Sequence, residues 1–277
     1  MFDPATFEQF MGAVVAFKDT YKKHLTNLFI TADELPRKVF FKKCFLMVRE
    51  GCLLLAVQSD AYFQIYYYAR DLNALGEALN IGTGSCSLPF ICDIIGREPE
   101  TEKTASFLEE NGFTVRQKLV RLIFKPEISP DKKFAHPGEY AAKGDAREIQ
   151  EILLKNFDVY GSQLPEIGKI QENIAKNQVA VIRKSGEIAA VEYFEINGKS
   201  LRKWFSVVAE NYRSKFVYFE MKQFLFAIYK EKNIRKVISW RDESNQRLIE
   251  ACKKEGEKPD GLVDYVMFRS KERPAHE

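Results

Sequence analysis

Histidine is scarce in this 277-residue sequence, at three residues, and the five cysteines form no CxxC pair. Cys44, Cys52, Cys86, Cys92 and Cys252 are odd in number and irregularly spaced, which argues against a disulfide framework and a zinc site alike. His24, His136 and His276 join no cysteine cluster that would hold a metal. No apolar run approaches the ~18 residues a membrane helix needs. The opening MFDPATFEQF is acidic and lacks the basic-then-apolar layout of a signal peptide, so a reducing cytoplasm is the expected location. Dense basic stretches are missing too. Net charge is only +3, and Lys42–Lys43, Lys132–Lys133 and Lys253–Lys254 are short and scattered. Nucleic acid and membrane are therefore not expected partners.

What is present is apolar and aromatic. Hydrophobic residues make up 45% and charged residues 29%, a balance that fits globular cores, and 22 Phe and 12 Tyr supply large rings to fill them. The length suggests two domains at ~100–200 residues each. The stretch KPEISPDKKFAHPG, with Pro126, Pro130, Pro137 and Gly138, disfavours helix and sheet. We place a linker at 129–138 between an N-terminal domain, 1–128, and a C-terminal domain, 139–277.

The C-terminal half reads as a strand at 139–143, then a helix capped by Asp145 with Glu148 completing a capping box. A second helix covers 166–176. Strands follow at 179–183, 188–196 and 201–208, joined at KSGE and at Asn197-Gly198, a strong hairpin signal. A long helix near Phe216 presents Val217, Met221, Phe224, Leu225 and Ile228 on one face. A strand at 236–240, a helix capped by Ser244 and ending at Gly256, and a strand at 262–269 complete the order. Trp204 and Trp240 are expected in the core. The N-terminal half repeats the later part of this order after a long helical start, 4–28. Its strands fall at 40–49, 53–58 and 62–69, its next helix at 72–79, then strand 88–95, helix 100–111 and strand 117–124. VREG (48–51) sits like IRKSG (182–186), and FLEENGF (107–113) like ACKKEGE (251–257).

Two segments, SVVAENYRSKFVYFEM (206–221) and SNQRLIEACKKEG (244–256), carry a resemblance to the GNAT (GCN5-related N-acetyltransferase) superfamily. The first is similar to the family's strand-loop-helix cofactor site, with Val208 at the strand end, Tyr212-Arg213 as the Tyr-Arg pair and Met221 inside the helix. The second is similar to the family's late helix, with Asn245 and Gly256 at the expected separation and Leu248, Ile249 and Ala251 at buried positions. The resemblance implies an α/β fold of two GNAT-like domains in tandem. Each would be a mixed, mostly antiparallel sheet flanked by helices.

A helix start fed by a strand end aims several backbone N–H groups at one place, and the helix dipole favours an anion there. The resemblance implies acetyl-CoA or another acyl-CoA at this place. Val208, Arg213, Ser214, Lys215, Phe216, Val217, Tyr218 and Asn245 would be the binding residues. Phe216 and Tyr218 stand where the family has glycine or alanine; their rings either point away from the phosphates or cover them. The N-terminal half keeps small residues at Asn73-Ala-Leu-Gly76-Glu-Ala78 but lacks the arginine.

The implied activity is acyl transfer by direct attack of an amine on the thioester, with a small-molecule or peptide amine as acceptor. Cys252 takes the place of the family's tyrosine acid, and a thiol can donate a proton to the leaving thiolate. Glu192, Glu195 and Glu210 are candidate bases, with Glu192 on the central strand preferred. The missing glycines and tyrosine also fit a catalytically silent GNAT-like module that binds a ligand or protein. A third reading is a transferase using another activated donor.

Overall fold

The computed structural model describes residues 2–270 except 31, 33, 41, 84–87, 129, 130, 132, 135 and 214. Contacts group the chain into two compact units, one of residues 1–119 with 262–277 and the other of residues 120–261. The grouping is not contiguous, because the last strand belongs for most of its length with the first unit.

Unit 1 opens with β1 (Asp3–Pro4), α1 (Phe7–Thr20), β2 (Leu25–Thr26) and α2 (Leu35–Lys38). Three strands follow, β3 (Cys44–Arg49), β4 (Cys52–Gln58) and β5 (Phe63–Ala69), then α3 (Leu72–Thr83), β6 (Phe90–Gly96), α4 (Glu100–Glu110) and β7 (Thr114–Phe124), which runs on into unit 2. The helix expected over 4–28 ends at Thr20. Thr6 and Gln9 form a capping box at its start, but Tyr21 turns extended and β2 pairs antiparallel with β5 through Leu25–Ala69 and Thr26–Tyr68. Strand pairing outweighs helical pattern over those residues. β4 is buried along almost its whole length, with Cys52, Leu53, Leu54, Leu55, Ala56 and Val57 inside. α1 lays Phe10, Val14 and Phe17 onto the same core as Leu53, Leu55 and Val57.

Unit 2 contains β8 (Glu139–Tyr140), α5 (Ala146–Asn156), α6 (Val159–Ser162), α7 (Ile167–Ala175), β9 (Val179–Lys184), β10 (Glu187–Asn197) and β11 (Ser200–Val208). After them come α8 (Lys215–Glu231), β12 (Lys236–Asp242), α9 (Gln246–Lys254) and the start of β13 (Lys258–Arg269). The strands lie in the order β12-β11-β10-β9-β8. Ser185 and Gly186 both take positive φ, 52° and 89°, at the β9–β10 turn, which suits the twist of a tight hairpin. α8 packs Val217, Met221, Phe224, Leu225 and Ile228 against Ala190, Phe194 and Leu201, as its periodicity requires. Arg121 holds Asp260 through two nitrogens, at 2.5 and 3.0 Å.

Four local expectations are corrected. Asp145 does not cap α5; its carboxylate accepts from the Ala142 N–H behind it and pairs with Arg183 at 2.7 Å, while Glu148 accepts from the Ile188 N–H. Asn245 and not Ser244 caps α9, accepting from the Leu248 N–H, because Ser244 Oγ is taken up by Asp242. On the same helix Ile249 and Cys252 are buried, whereas Leu248 and Ala251 are exposed, so the apolar face runs through 249 and 252. Trp204 also leaves the core. The β10–β11 register shifts between Tyr193–Phe205 and Phe194–Lys203, which makes Trp204 the extra, bulged residue. Its exposed ring lies under the Arg202 guanidinium at 3.8 Å.

Candidate functional site

Among the described residues, each unit has a parallel pair of strands that parts, its pairing ending while both strands continue. In unit 2, β11 and β12 pair through Ser200–Lys236, Leu201–Val237, Arg202–Ile238 and Lys203–Ser239, and then the register ends although both strands continue. In unit 1, β5 and β6 pair only through Phe63–Phe90 and Gln64–Ile91. A parted parallel pair leaves backbone donors and acceptors facing a crevice, which suits an extended ligand carrying amides.

Beside the parting in unit 2 lies a cleft open to solvent. One part of its wall is apolar, made of Phe124, Met221, Leu225, Phe226 and Tyr229. The other is charged, made of Glu192, Lys203, Lys222, Glu255 and Glu257, with Tyr218 between. Glu192 comes from β10, where the alternation places Ala190, Glu192 and Phe194 on the side that meets α8. It is 1% exposed, and neither carboxylate oxygen has a hydrogen bond. The Lys203 ammonium is 3.2 Å from Oε1, so charge attraction alone holds the pair. A buried carboxylate with spare acceptor capacity is costly to keep in a fold. Such a group is what a cationic ligand would use.

The other polar groups of the cleft are tied to one another. Tyr218 Oη donates to Glu255 at 2.7 Å, and Lys222 pairs with Glu255 at 3.0 Å. Ser239 Oγ donates to Glu257 at 2.8 Å. Burial, with Glu255 beside it, pushes the Tyr218 phenol up. Tyr229 is pushed up by burial and by Glu192 nearby. Cys252 does not line the cleft. Its thiol is buried and held above its usual value chiefly by that burial, with the charge of Glu257 adding to it and Arg241 opposing.

The proposed phosphate end lies at the start of α8. No acidic residue stands in its first turn. Val217 turns inward, while Phe216 and Phe219 are 80% and 57% exposed, so both rings project into solvent. Val208 is half-buried at the end of β11. Arg213 is exposed and donates to Asn156 at 2.8 Å, and Tyr212 Oη donates to Glu187 at 2.7 Å. Ser214 and the Lys215 side chain lie outside the described residues. Of the residues picked out in the sequence, the fold thus brings Glu192 and Tyr218 to one cleft. Val208, Arg213, Phe216 and Val217 stand around the end of β11 and the start of α8, and Asn245 serves as a helix cap. Glu195 is half-buried farther along β10, and Glu210 is exposed in a 3₁₀ turn.

Sequence reasoning missed Lys203, Lys222, Glu255 and Glu257. Lys203 reaches Glu192 only through the one-residue bulge at Trp204, and no residue pattern announces that bulge. Among the described residues no group of acidic, cysteine and histidine side chains has a metal-binding arrangement. No described helix is long and apolar enough to cross a membrane.

No protein-family model and no curated protein matches the sequence. Solved structures do. A GCN5-related N-acetyltransferase from Sphaerobacter thermophilus is 14% identical with a TM-score of 0.61, over 99% of this chain and 96% of that one. A tandem GNAT protein from the clavulanic acid biosynthesis pathway is 11% identical with a TM-score of 0.61, over 98% of each chain. A glucosamine N-acetyltransferase region of a fungal multi-domain beta-N-acetylglucosaminidase is 11% identical with a TM-score of 0.65, over 97% of this chain and 38% of that one. At these identities the likeness is one of fold, and the fold of this chain is that of two GNAT-like domains in tandem.

Proposed function

We propose that unit 2 is an N-acyltransferase that moves an acyl group from acyl-CoA, acetyl-CoA among them, to an amine. The observation that carries this reading is the buried Glu192 carboxylate, without a hydrogen bond, at a cleft beside the parting of β11 and β12. The acyl-CoA would run from the start of α8, where the dipole and the lack of acidic side chains suit its phosphates, into the crevice between the strands.

In the reaction Glu192 accepts a proton from the acceptor's ammonium. The freed amine attacks the thioester carbonyl, the C–N bond forms, the C–S bond breaks, and the thiolate leaves with a proton. Two groups at or beside the cleft keep protons to give. They are the Tyr218 phenol at the cleft and the Cys252 thiol close to it, both held protonated chiefly by burial. The Lys203 ammonium, 3.2 Å from Glu192 Oε1, is the charge that the acceptor's ammonium would replace beside this carboxylate. The acceptor would be a small molecule or a peptide carrying an amine. The absence of loop glycines favours a second reading, a silent module in which the exposed Phe216 and Phe219 meet a partner.

A thermal-shift and turnover series separates the two. Acetyl-CoA at millimolar concentration should raise Tm, and transfer to an amine panel should fall ~10²–10⁴-fold in Glu192→Gln with CoA binding kept. A chain whose Tm ignores CoA, or whose Glu192→Gln variant transfers at the original rate, refutes the catalytic reading. Tyr218→Phe and Cys252→Ala then assign the proton donor by which one lowers kcat.

A further inference from the structure

The crevice of unit 1 is filled from within. Asn27 follows β2 directly and is 6% exposed. Its Nδ2 donates to the Ile65 carbonyl of β5 at 2.9 Å and to the Asp93 carbonyl of β6 at 3.1 Å, and lies 3.4 Å from Cys92 Sγ. Its Oδ1 accepts from the Tyr67 N–H at 2.8 Å. One primary amide therefore answers both strands just past their last paired residues, Gln64 and Ile91. An amide is the group that can do this, since it has two donors on one atom and an acceptor on the other. Backbone groups buried without a partner destabilise a fold, so a parted strand pair needs such an occupant or a ligand.

The second half of the cradle is filled as well. α3 starts right after β5, as α8 follows β11 in unit 2. Here the Asp71 carboxylate accepts from the Ala74 N–H at 2.9 Å. That bond, followed by one from Arg70 Nε at 2.9 Å, holds its pKa below the usual carboxylate range. A negative oxygen already sits where a helix start would take an anion, whereas α8 has no acid in its first turn.

We infer that unit 1 carries its own substitute for the ligand, Asn27 in place of an amide between the strands and Asp71 in place of a phosphate, so that the chain has one acyl-CoA site, in unit 2. The count of one rests on the acyl-CoA reading of unit 2; the filling of unit 1 does not.

Two measurements on the full chain keep these apart. Calorimetric titration with acetyl-CoA should give one equivalent per chain; two equivalents would overturn the inference. Hydrogen exchange should find the Tyr67 amide slow in the ligand-free protein and at least tenfold faster in Asn27→Ala, with Val181 in unit 2 unchanged. Unaltered exchange at Tyr67 in that variant would also overturn it. If Asn27→Ala does not fold, Asn27→Asp keeps the acceptor and loses both donors. The amides around Ile65 and Asp93 should then exchange faster, and equal rates there count against the inference. A titration with no heat at all sinks the acyl-CoA reading and the count, while the Tyr67 result still decides whether Asn27 fills the crevice.

Discussion

The two units share an order of elements but fill three matching places with opposite chemistry. The middle strand of the antiparallel set is β4 in unit 1, apolar and buried from Cys52 to Val57, and β10 in unit 2, which carries the Glu192 carboxylate at its centre. The parted strands hold Asn27 in unit 1 and adjoin a cleft in unit 2. The helix start is capped by Asp71 in unit 1 and bears no acid in unit 2. A repeated fold can thus keep the middle strand of one copy for packing and carry the cost of a buried charge on the middle strand of the other. Under the proposed function, that cost marks the copy with a ligand to meet.

The comparison breaks most sharply at the ion pair. Lys203→Met leaves Glu192 buried without a counter-charge and should destabilise unit 2 by about 3–5 kcal/mol, read as a lower urea midpoint. Combining it with Glu192→Leu makes the site as apolar as β4. Stability should then return to the starting value or exceed it, with transfer abolished. A double variant as unstable as the single one would mean that the pair is a structural element, and the contrast between the units would lose its functional meaning.

Much of this contrast was legible in the sequence, though unevenly. Strands β9 to β11 follow from alternation and from the turn residues Ser185, Gly186 and Gly198, and the buried face of α8 follows from its spacing. Glu192 could be picked out because a carboxylate interrupts an apolar strand. Other features depend on contacts far apart in the chain. β2 and Asn27 lie in a stretch whose pattern reads as helix, and their role needs Ile65, Tyr67 and Asp93, which only the fold brings near. Trp204 looked like core because alternation assumes no bulge. The last strand pairs with β6, from Val263–Gly96 to Arg269–Phe90, a contact between chain segments that local pattern does not address.

Alkaline pH should sharpen the comparison by a smaller amount. Cys52 in unit 1 is fully buried, and burial, with the charge of Asp71 adding to it, pushes its thiol from the ordinary 9.0 to about 12. Burial raises Cys44 to about 11. The folded pKa lies above the unfolded one, so this stability is whole below pH 9 and is lost as pH rises toward 11–12. The loss from Cys52 is on the order of 1 kcal/mol per pH unit. Urea melts at pH 8, 9 and 10 should show the decline, and Cys52→Ala should make it shallower. An identical slope in that variant would show that the thiol does not carry it.

The smallest effects lie at the start of α9, whose far end leads to Glu255 and Glu257 of the cleft, where the structure and the residue pattern name different caps. Asn245 Oδ1 receives the Leu248 N–H at 3.1 Å, whereas Ser244 Oγ donates to Asp242 at 2.7 Å. Removing a true cap strands a helix N–H and costs about 1 kcal/mol. Asn245→Ala should therefore lower stability by about that much and, by loosening the helix that carries Cys252 and leads to Glu255, should raise KM more than it lowers kcat. Ser244→Ala removes only an exposed local bond and should stay within about 0.5 kcal/mol. Equal losses in the two variants would place the cap on both residues, and a larger loss at Ser244 would return it to the residue that spacing alone selects. The distinction bears on the site because Asn245 is also the position at which the family resemblance begins along this helix. A cap that mattered only for stability would lower Tm and leave KM and kcat unchanged.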